Sequence, residues 1–205
     1  MIVQEKETTV AYRCPECGCG VMSLVGAFRL RADRLTLKCD SGTSEMNIIR
    51  SKDGRVRSSS YALNEAVVAN GSTARIIDLR LFDNGVLVSD FRADGLVVAT
   101  PTGSTAYSLS AGGPIVDPKL SCFCVTPICP HSLLARPLVF PDTARLEVNN
   151  ICVREKLLHL TLDGRVTYDL YHGDTAVITK SKLTTKLIRV KDRSFYAKIR
   201  TKKFL

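Results

Sequence analysis

The chain has no apolar run near the roughly 20 residues that a membrane-spanning helix needs, although 45% of its 205 residues are hydrophobic. The expectation is a soluble globular protein of one or two domains, long enough to bury roughly 70% of its unfolded surface. Its first residues, Met1-Ile2-Val3-Gln4-Glu5-Lys6, lack the basic start and apolar core of a secretory signal. The eight cysteines are therefore expected in a reducing cytoplasm, as thiols or metal ligands rather than disulfides. Neither a Walker phosphate loop nor a kinase-type glycine-rich loop occurs. A spread of positive charge is missing too, despite a net charge of +9: residues 1–57 carry +3, residues 58–179 carry −3 and residues 180–205 carry +9. The central body is mildly acidic, which argues against a nucleic-acid groove.

What the chain does contain is a concentration of small hydroxyl residues between Asp94 and Pro114. Leu96 to Ala99 is a short apolar run suited to a buried strand, and Pro101 stops it by removing a backbone donor. Thr102 or Ser104 can cap a short helix beginning near Thr105, leaving backbone N–H groups at the helix start for a polar ligand. Gly112-Gly113-Pro114 ends that helix. Small residues permit close backbone approach and Tyr107 offers a face for stacking, so the loop suits a ribose, an amide or a phosphate. An ordinary strand-turn-helix joint has the same outline.

Residues 1–57 read as a separate zinc-ribbon-like β module. Cys14-Pro15-Glu16-Cys17 is a Cys-x-x-Cys knuckle whose thiolates can grip one tetrahedral Zn²⁺. Cys39 sits at a plausible distance for a third ligand, with Cys19 as an alternative and Asp40 as a weaker fourth donor. Ser41 stands where a complete second pair would place a thiol, so a degenerate ribbon without metal is the competing reading. Strands are expected over 21–30 and 34–38, and Ser58-Ser59-Ser60 is read as a flexible joint.

From residue 58 onward the pattern is strand after strand, and residues 58–205 are expected to form one β domain with a basic tail over about 181–205. Leu63, Val67 and Val68 flank an Asn64-Glu65 pair at a strand entrance. Ile77, Leu79 and Leu81 alternate with polar residues, and Asp83-Asn84-Gly85 turns the chain into Val86-Leu87-Val88 as a hairpin. Further strands are expected at 122–125, 138–140, 145–148, 157–162, 166–170 and 176–179, with Thr126 to Ser132 as a rigid loop. Asp163-Gly164 marks a second hairpin turn, and the tail reads as strand, turn and short helix. Cys122 and Cys124 in their apolar run are read as packed thiols rather than as a metal site with Cys129 and His131.

The run DGLVVATPTGSTAYSLSAGGPIVDP, residues 94–118, closely resembles the signature segment of the NAD kinases, which phosphorylate NAD to NADP. Asn64-Glu65, the loop Thr-Pro-Ile-Cys-Pro-His-Ser, the Leu-Asp-Gly turn and the tail are similar to the same family, so the resemblance runs from about Tyr61 to Thr201. Ala93 departs from it, standing where the family usually has glycine in Arg-Gly-Asp-Gly. The resemblance implies an all-β fold, the multi-stranded C-terminal β domain of NAD kinases with one or two short helices. It implies that Asn64 and Glu65 meet the ribose and nicotinamide of NAD, and that Thr102, Thr105, Ala106, Tyr107 and Ser110 line the dinucleotide. Asp94, by the same resemblance, reaches that pocket across a subunit interface, so a homo-oligomer or a complementing NAD kinase subunit is the implied partner.

NAD as substrate, ATP as donor and Mg²⁺ are likewise implied by the family. The Gly-Gly-Asp-Gly motif that supplies the family's catalytic aspartate is not among these 205 residues. Catalysis of phosphoryl transfer is mostly positioning, metal and an oriented nucleophile, and losing a general base typically costs on the order of 10²–10⁴ in rate. The chain by itself is therefore expected to bind NAD and to phosphorylate it poorly or not at all. The alternatives are a non-catalytic NAD-binding module and an adaptor built from the zinc-ribbon-like head and basic tail.

Overall fold

A computed structural model describes residues 11–12, 22–23, 38–39, 43–52, 55–71, 75–153, 157–185, 188–189 and 194–201. The chain divides into two compact units, residues 43–185 and residues 1–42 together with 186–205. In the smaller unit, β1 (Ala11–Tyr12) pairs antiparallel with β2 (Met22–Ser23). There β3 (Lys38–Cys39) pairs with β16 (Ile188–Arg189), Cys39 opposite Ile188, so the basic tail returns to the N-terminal segment. A short helix, α2 (Phe195–Thr201), follows, as the tail's pattern suggested. Cys14, Cys17 and Cys19 lie outside the described residues.

The larger unit is a stack of two antiparallel sheets. Along the chain come β4 (Thr43–Lys52), β5 (Arg55–Ala62), β6 (Glu65–Ala69), β7 (Ile77–Asp83), β8 (Val86–Ala93) and β9 (Gly95–Ala99). After the hydroxyl-rich loop come β10 (Cys122–Ile128), β11 (Leu138–Pro141), β12 (Leu146–Asn150), β13 (Leu157–Leu162), β14 (Val166–Tyr171) and β15 (Thr175–Thr185). One sheet has the order β11-β10-β9-β6-β13-β14 and the other β5-β4-β15-β12-β7-β8. The fold is all-β, as the sequence implied.

Alternation of side chains decides what each sheet buries. Ala66 and Val68 of β6, Leu96 and Val98 of β9, and Leu158, Leu160 and Leu162 of β13 share one core with Ile77, Leu79 and Leu81 of β7, Leu146 and Val148 of β12, and Ile178 of β15. The two sheets thus pack face to face. Val97 and Ala99 point the other way and form a second cluster with Cys122, Cys124 and Val116. Strand β9 is consequently buried along its whole length, which is why it reads as a continuous apolar run rather than an alternating one.

The hairpins stand where their turn residues placed them. Asn84 and Gly85 between β7 and β8 have φ of 49° and 80°, and Asp163 and Gly164 between β13 and β14 have φ of 47° and 64°. Asn84-Gly85 is the left-handed pair that a two-residue hairpin demands, and Asp163-Gly164 is the same kind of pair in a three-residue loop that Arg165 completes. Two expectations change. Ser58, Ser59 and Ser60 are not a joint: they lie inside β5, an edge strand paired with β4, and the compact unit starts at Thr43. Hydroxyl-rich strands carry no apolar alternation, and edge positions tolerate that composition. Thr126, Pro127 and Ile128 are not loop either, for β10 continues through them beside β9. Pro127 is accommodated because β11 pairs with β10 only as far as Val125.

Candidate functional site

The site begins with a two-residue crossover. Strand β5 ends at Ala62 in one sheet and β6 begins at Glu65 in the other, so Leu63 and Asn64 carry the chain between sheets. Backbone groups there have no ladder partner and must be satisfied elsewhere. The Asp163 carboxylate accepts the N–H of Leu63 at 2.8 Å, of Asn64 at 2.8 Å and of Glu65 at 3.1 Å. On the acceptor side, the Thr100 hydroxyl donates to the Leu63 carbonyl at 2.7 Å, and the Thr100 N–H donates to the Asn64 carbonyl at 2.9 Å. Gly103 lies against the same segment, where an added Cβ would stand 2.0 Å from the Asn64 carbonyl oxygen.

The hydroxyl-rich stretch folds over the outer face of β9 and β10 as a 3₁₀ turn, η1 (Gly103–Thr105), and one helical turn, α1 (Tyr107–Ser110). Neither Thr102 nor Ser104 caps them as expected. The capping hydroxyl is Thr100, which accepts the Gly103 N–H at 3.1 Å. Ser104 instead donates to the Pro101 carbonyl at 2.7 Å and accepts the Val116 N–H at 3.1 Å, tying the two ends of the loop together. Two of the amides near the helix start are taken within the loop, Ser104 N–H by the Thr100 carbonyl and Ala106 N–H by the Gly103 carbonyl, both at 2.9 Å. Gly112, at φ 87°, ends the helix as its sequence foretold. Gly113 leaves room for the buried hydrogen bond of 3.2 Å between the Ser108 and Thr126 hydroxyls.

Glu65 is the buried carboxylate of this assembly. It sits on the outer face of β6, opposite Ala99, and is only 7% solvent-exposed. Its Oε2 is buried without a hydrogen-bond partner. Burial pushes the carboxyl above its usual range, the nearby negative charge of Asp163 pushes it further, and the Tyr107 backbone N–H opposes both. Around it, Thr102, Thr105 and Ala106 are half-buried, while Tyr107 and Ser110 are exposed. Asn64, Glu65 and the loop residues thus share one end of the β6–β9 pair. Asp94 does not: it is exposed at the other end of β9, where its N–H meets the Ile128 carbonyl, about 16 Å along the strand.

Residues 63–190 match the ATP-NAD kinase C-terminal domain. The chain belongs to that family. It is 44% identical over 151 residues to the NAD kinase of Citrifermentans bemidjiense, covering 74% of this chain and 52% of that one. It is 40% identical over 169 residues to the NAD kinase of Geotalea daltonii, covering 81% of this chain and 59% of that one. Among solved structures it is similar to yeast NADH kinase complexed with NADH, with a TM-score of 0.72, 30% identity, and coverage of 79% of this chain and 47% of that chain. It is also similar to an NAD kinase from Archaeoglobus fulgidus in complex with ATP, with a TM-score of 0.65, 31% identity, and coverage of 80% and 61%. The chain therefore spans about half the length of the NAD kinases it matches.

No three His, Cys, Asp or Glu side chains among the described residues converge to hold a metal ion. Cys122 and Cys124 pack in the outer apolar cluster of the NAD kinase C-terminal domain, and burial pushes the Cys124 thiol up to about 12. Thr100 and Asp163 are the residues that sequence reasoning assigned no role at the site. Their signals were a threonine before the stop proline, inside the signature run, and an aspartate in the Leu-Asp-Gly turn, where asparagine would turn the chain equally well.

Two outcomes follow for this site. Gly103→Ala forces a methyl group onto the Asn64 backbone and is expected to cost about 3 kcal/mol, roughly 6–12 °C in Tm by thermal melting. In folded protein, alkylation followed by peptide mass spectrometry is expected to label exposed Cys129 while buried Cys122, Cys124 and Cys152 react only after denaturation.

Proposed function

We propose that this chain recognises NAD as the substrate of an ATP-dependent 2′-phosphorylation, and that these 205 residues bind it without completing the transfer. One observation carries the reading: a buried carboxylate, Glu65, holds an unpartnered oxygen beside a loop of hydroxyl and small residues. An ionised carboxylate facing two neighbouring ribose hydroxyls gains two charge-assisted hydrogen bonds, and the desolvation already imposed on it makes that gain larger. In this reading Asn64 faces the nicotinamide side, and Thr102, Thr105, Ala106, Tyr107 and Ser110 line the dinucleotide. The names of the solved relatives, an NADH kinase with NADH and an NAD kinase with ATP, support the pairing of substrate and donor. Mg²⁺ would arrive with ATP, since the described residues offer no cluster to hold it.

The separation of Asp94 from Glu65 along β9 means that both serve one pocket only if a second copy, or a complementing NAD kinase subunit, contributes Asp94. A homo-oligomer in the cytoplasm is the arrangement proposed. For the N-terminal unit we propose Zn²⁺ on Cys14, Cys17 and Cys39, with Cys19 as the alternative ligand, as the feature that favours a second role as an adaptor. Elemental analysis of the purified chain is expected to find about one zinc per chain, and its absence would leave the ribbon without metal.

Titration calorimetry with NAD tests the main reading. Wild-type chain is expected to bind NAD, to yield no NADP with ATP and Mg²⁺ alone, and to lose affinity as pH falls through the raised Glu65 range. Glu65→Gln is expected to weaken NAD binding about tenfold or more. The same change is expected to raise Tm, because a buried carboxyl that holds its proton more tightly when folded costs stability as pH rises past it. The neutral amide escapes that cost of about 1 kcal/mol. Absence of NAD binding by the wild type, or undiminished binding by the glutamine variant, would overturn the reading.

A further inference from the structure

We propose that Asp163 is the positioning residue of the dinucleotide site: by clamping the backbone N–H groups of Leu63, Asn64 and Glu65, it holds the Glu65 carboxylate in place to receive the substrate ribose. The inference rests on the NAD-binding reading for the identity of that substrate.

The turn that holds Asp163 does not by itself require an aspartate. Its geometry, left-handed at both central residues, is repeated at Asn84-Gly85 in the β7–β8 hairpin, where asparagine serves. There the side chain stays local, donating to Asp83. At Asp163 both carboxylate oxygens instead reach back nearly 100 positions, Oδ2 to Leu63 and Oδ1 to Asn64 and Glu65. Three donors converge on one side chain, and only an ionised carboxylate offers acceptors alone on both atoms. The clamp is reinforced from the backbone, for the Asp163 N–H donates to the Glu65 carbonyl at 3.0 Å.

These contacts fix the backbone of the residue whose side chain does the binding. Glu65 is the first residue of β6, and its placement on the outer face depends on how the crossover before it is held. Among the described residues, Asp163 is the charged group that acts on the Glu65 carboxyl, coming from the β13–β14 turn; α1 contributes the Tyr107 N–H. Asp163 therefore acts on Glu65 twice, through geometry and through its negative charge, which holds a proton on Glu65 to higher pH than burial alone would.

That double action separates a positioning role from a merely structural one. Asp163→Asn keeps the turn, which accepts asparagine, and keeps one acceptor oxygen while removing the charge. Asn84→Gly serves as the control for a change at a hairpin turn. In the full chain, Asp163→Asn is expected to bind NAD about tenfold or more weakly by calorimetry. The acid limb of binding and the Glu65 carboxyl titration seen by NMR are expected to move to lower pH, and amide exchange at Leu63, Asn64 and Glu65 to accelerate selectively. Asn84→Gly is expected to match the wild type in all of these. An Asp163→Asn protein with a lower Tm but unchanged NAD affinity and unchanged Glu65 titration would overturn the proposal. If the wild type fails to bind NAD, the substrate reading falls, and the Glu65 titration and amide exchange of the free chain still decide the clamp. If the variant fails to fold, exchange in the wild type decides: amides at 63–65 that exchange as fast as exposed loops would overturn it.

Discussion

Two residues, Leu63 and Asn64, must cross from one sheet to the other with their backbone polar groups satisfied, and the rest of the site is arranged by that requirement. Neither residue can join a ladder. Their donors go to Asp163 and their acceptors to Thr100, so a hairpin turn and a strand terminus are pinned to the same short segment. Gly103 then packs against the Asn64 backbone at a distance no side chain allows. The hydroxyl-rich loop is therefore held by the crossover rather than by a capped helix, and its own amides are largely occupied in holding its shape.

The same constraint explains why a carboxylate can be kept buried with an open valence. Leaving a buried acceptor unpaired costs on the order of 1–3 kcal/mol, a large share of ordinary domain stability. The surrounding layers can offset it. Ile77, Leu79, Leu81, Leu146, Leu158, Leu160 and Ile178 are fully buried between the sheets, and full burial of one such side chain contributes roughly 1.5–3 kcal/mol. The outer cluster of Val97, Ala99, Val116, Cys122 and Cys124 fastens the loop on the opposite face. Burial and the neighbouring charge of Asp163 raise the proton affinity of Glu65, and the Tyr107 N–H opposes them.

Most of the strands were legible because their physics is local. Alternation in β7, the continuous apolar run of β9 and the left-handed pairs at Asn84-Gly85 and Asp163-Gly164 each report on neighbours in sequence. The membership of Asn64, Glu65 and the loop in one end of a strand pair was legible through family resemblance. What escaped reading was non-local. Strand β4 and its partner β5 at the sheet edge show little apolar alternation, so their place depends on pairing with β15 from the far end of the chain. The role of Asp163 could not be seen either, because asparagine or aspartate fits its turn and the three donors lie about 100 residues away. Thr102 and Ser104 looked like caps by position, but the hydroxyl one step before the stop proline took that place, since it alone can face both the crossover and the turn.

Strand β9 sets the remaining limit. Its five residues are buried on both faces and paired on both edges, so it cannot bend to bring its ends together. Asp94 stands before its first residue and Thr100 after its last. The Thr100 end therefore gathers the Glu65 carboxylate, the Asn64 amide, the Asp163 turn and the loop. Asp94 belongs to the opposite end of the strand and is not brought there within one copy of residues 43–185.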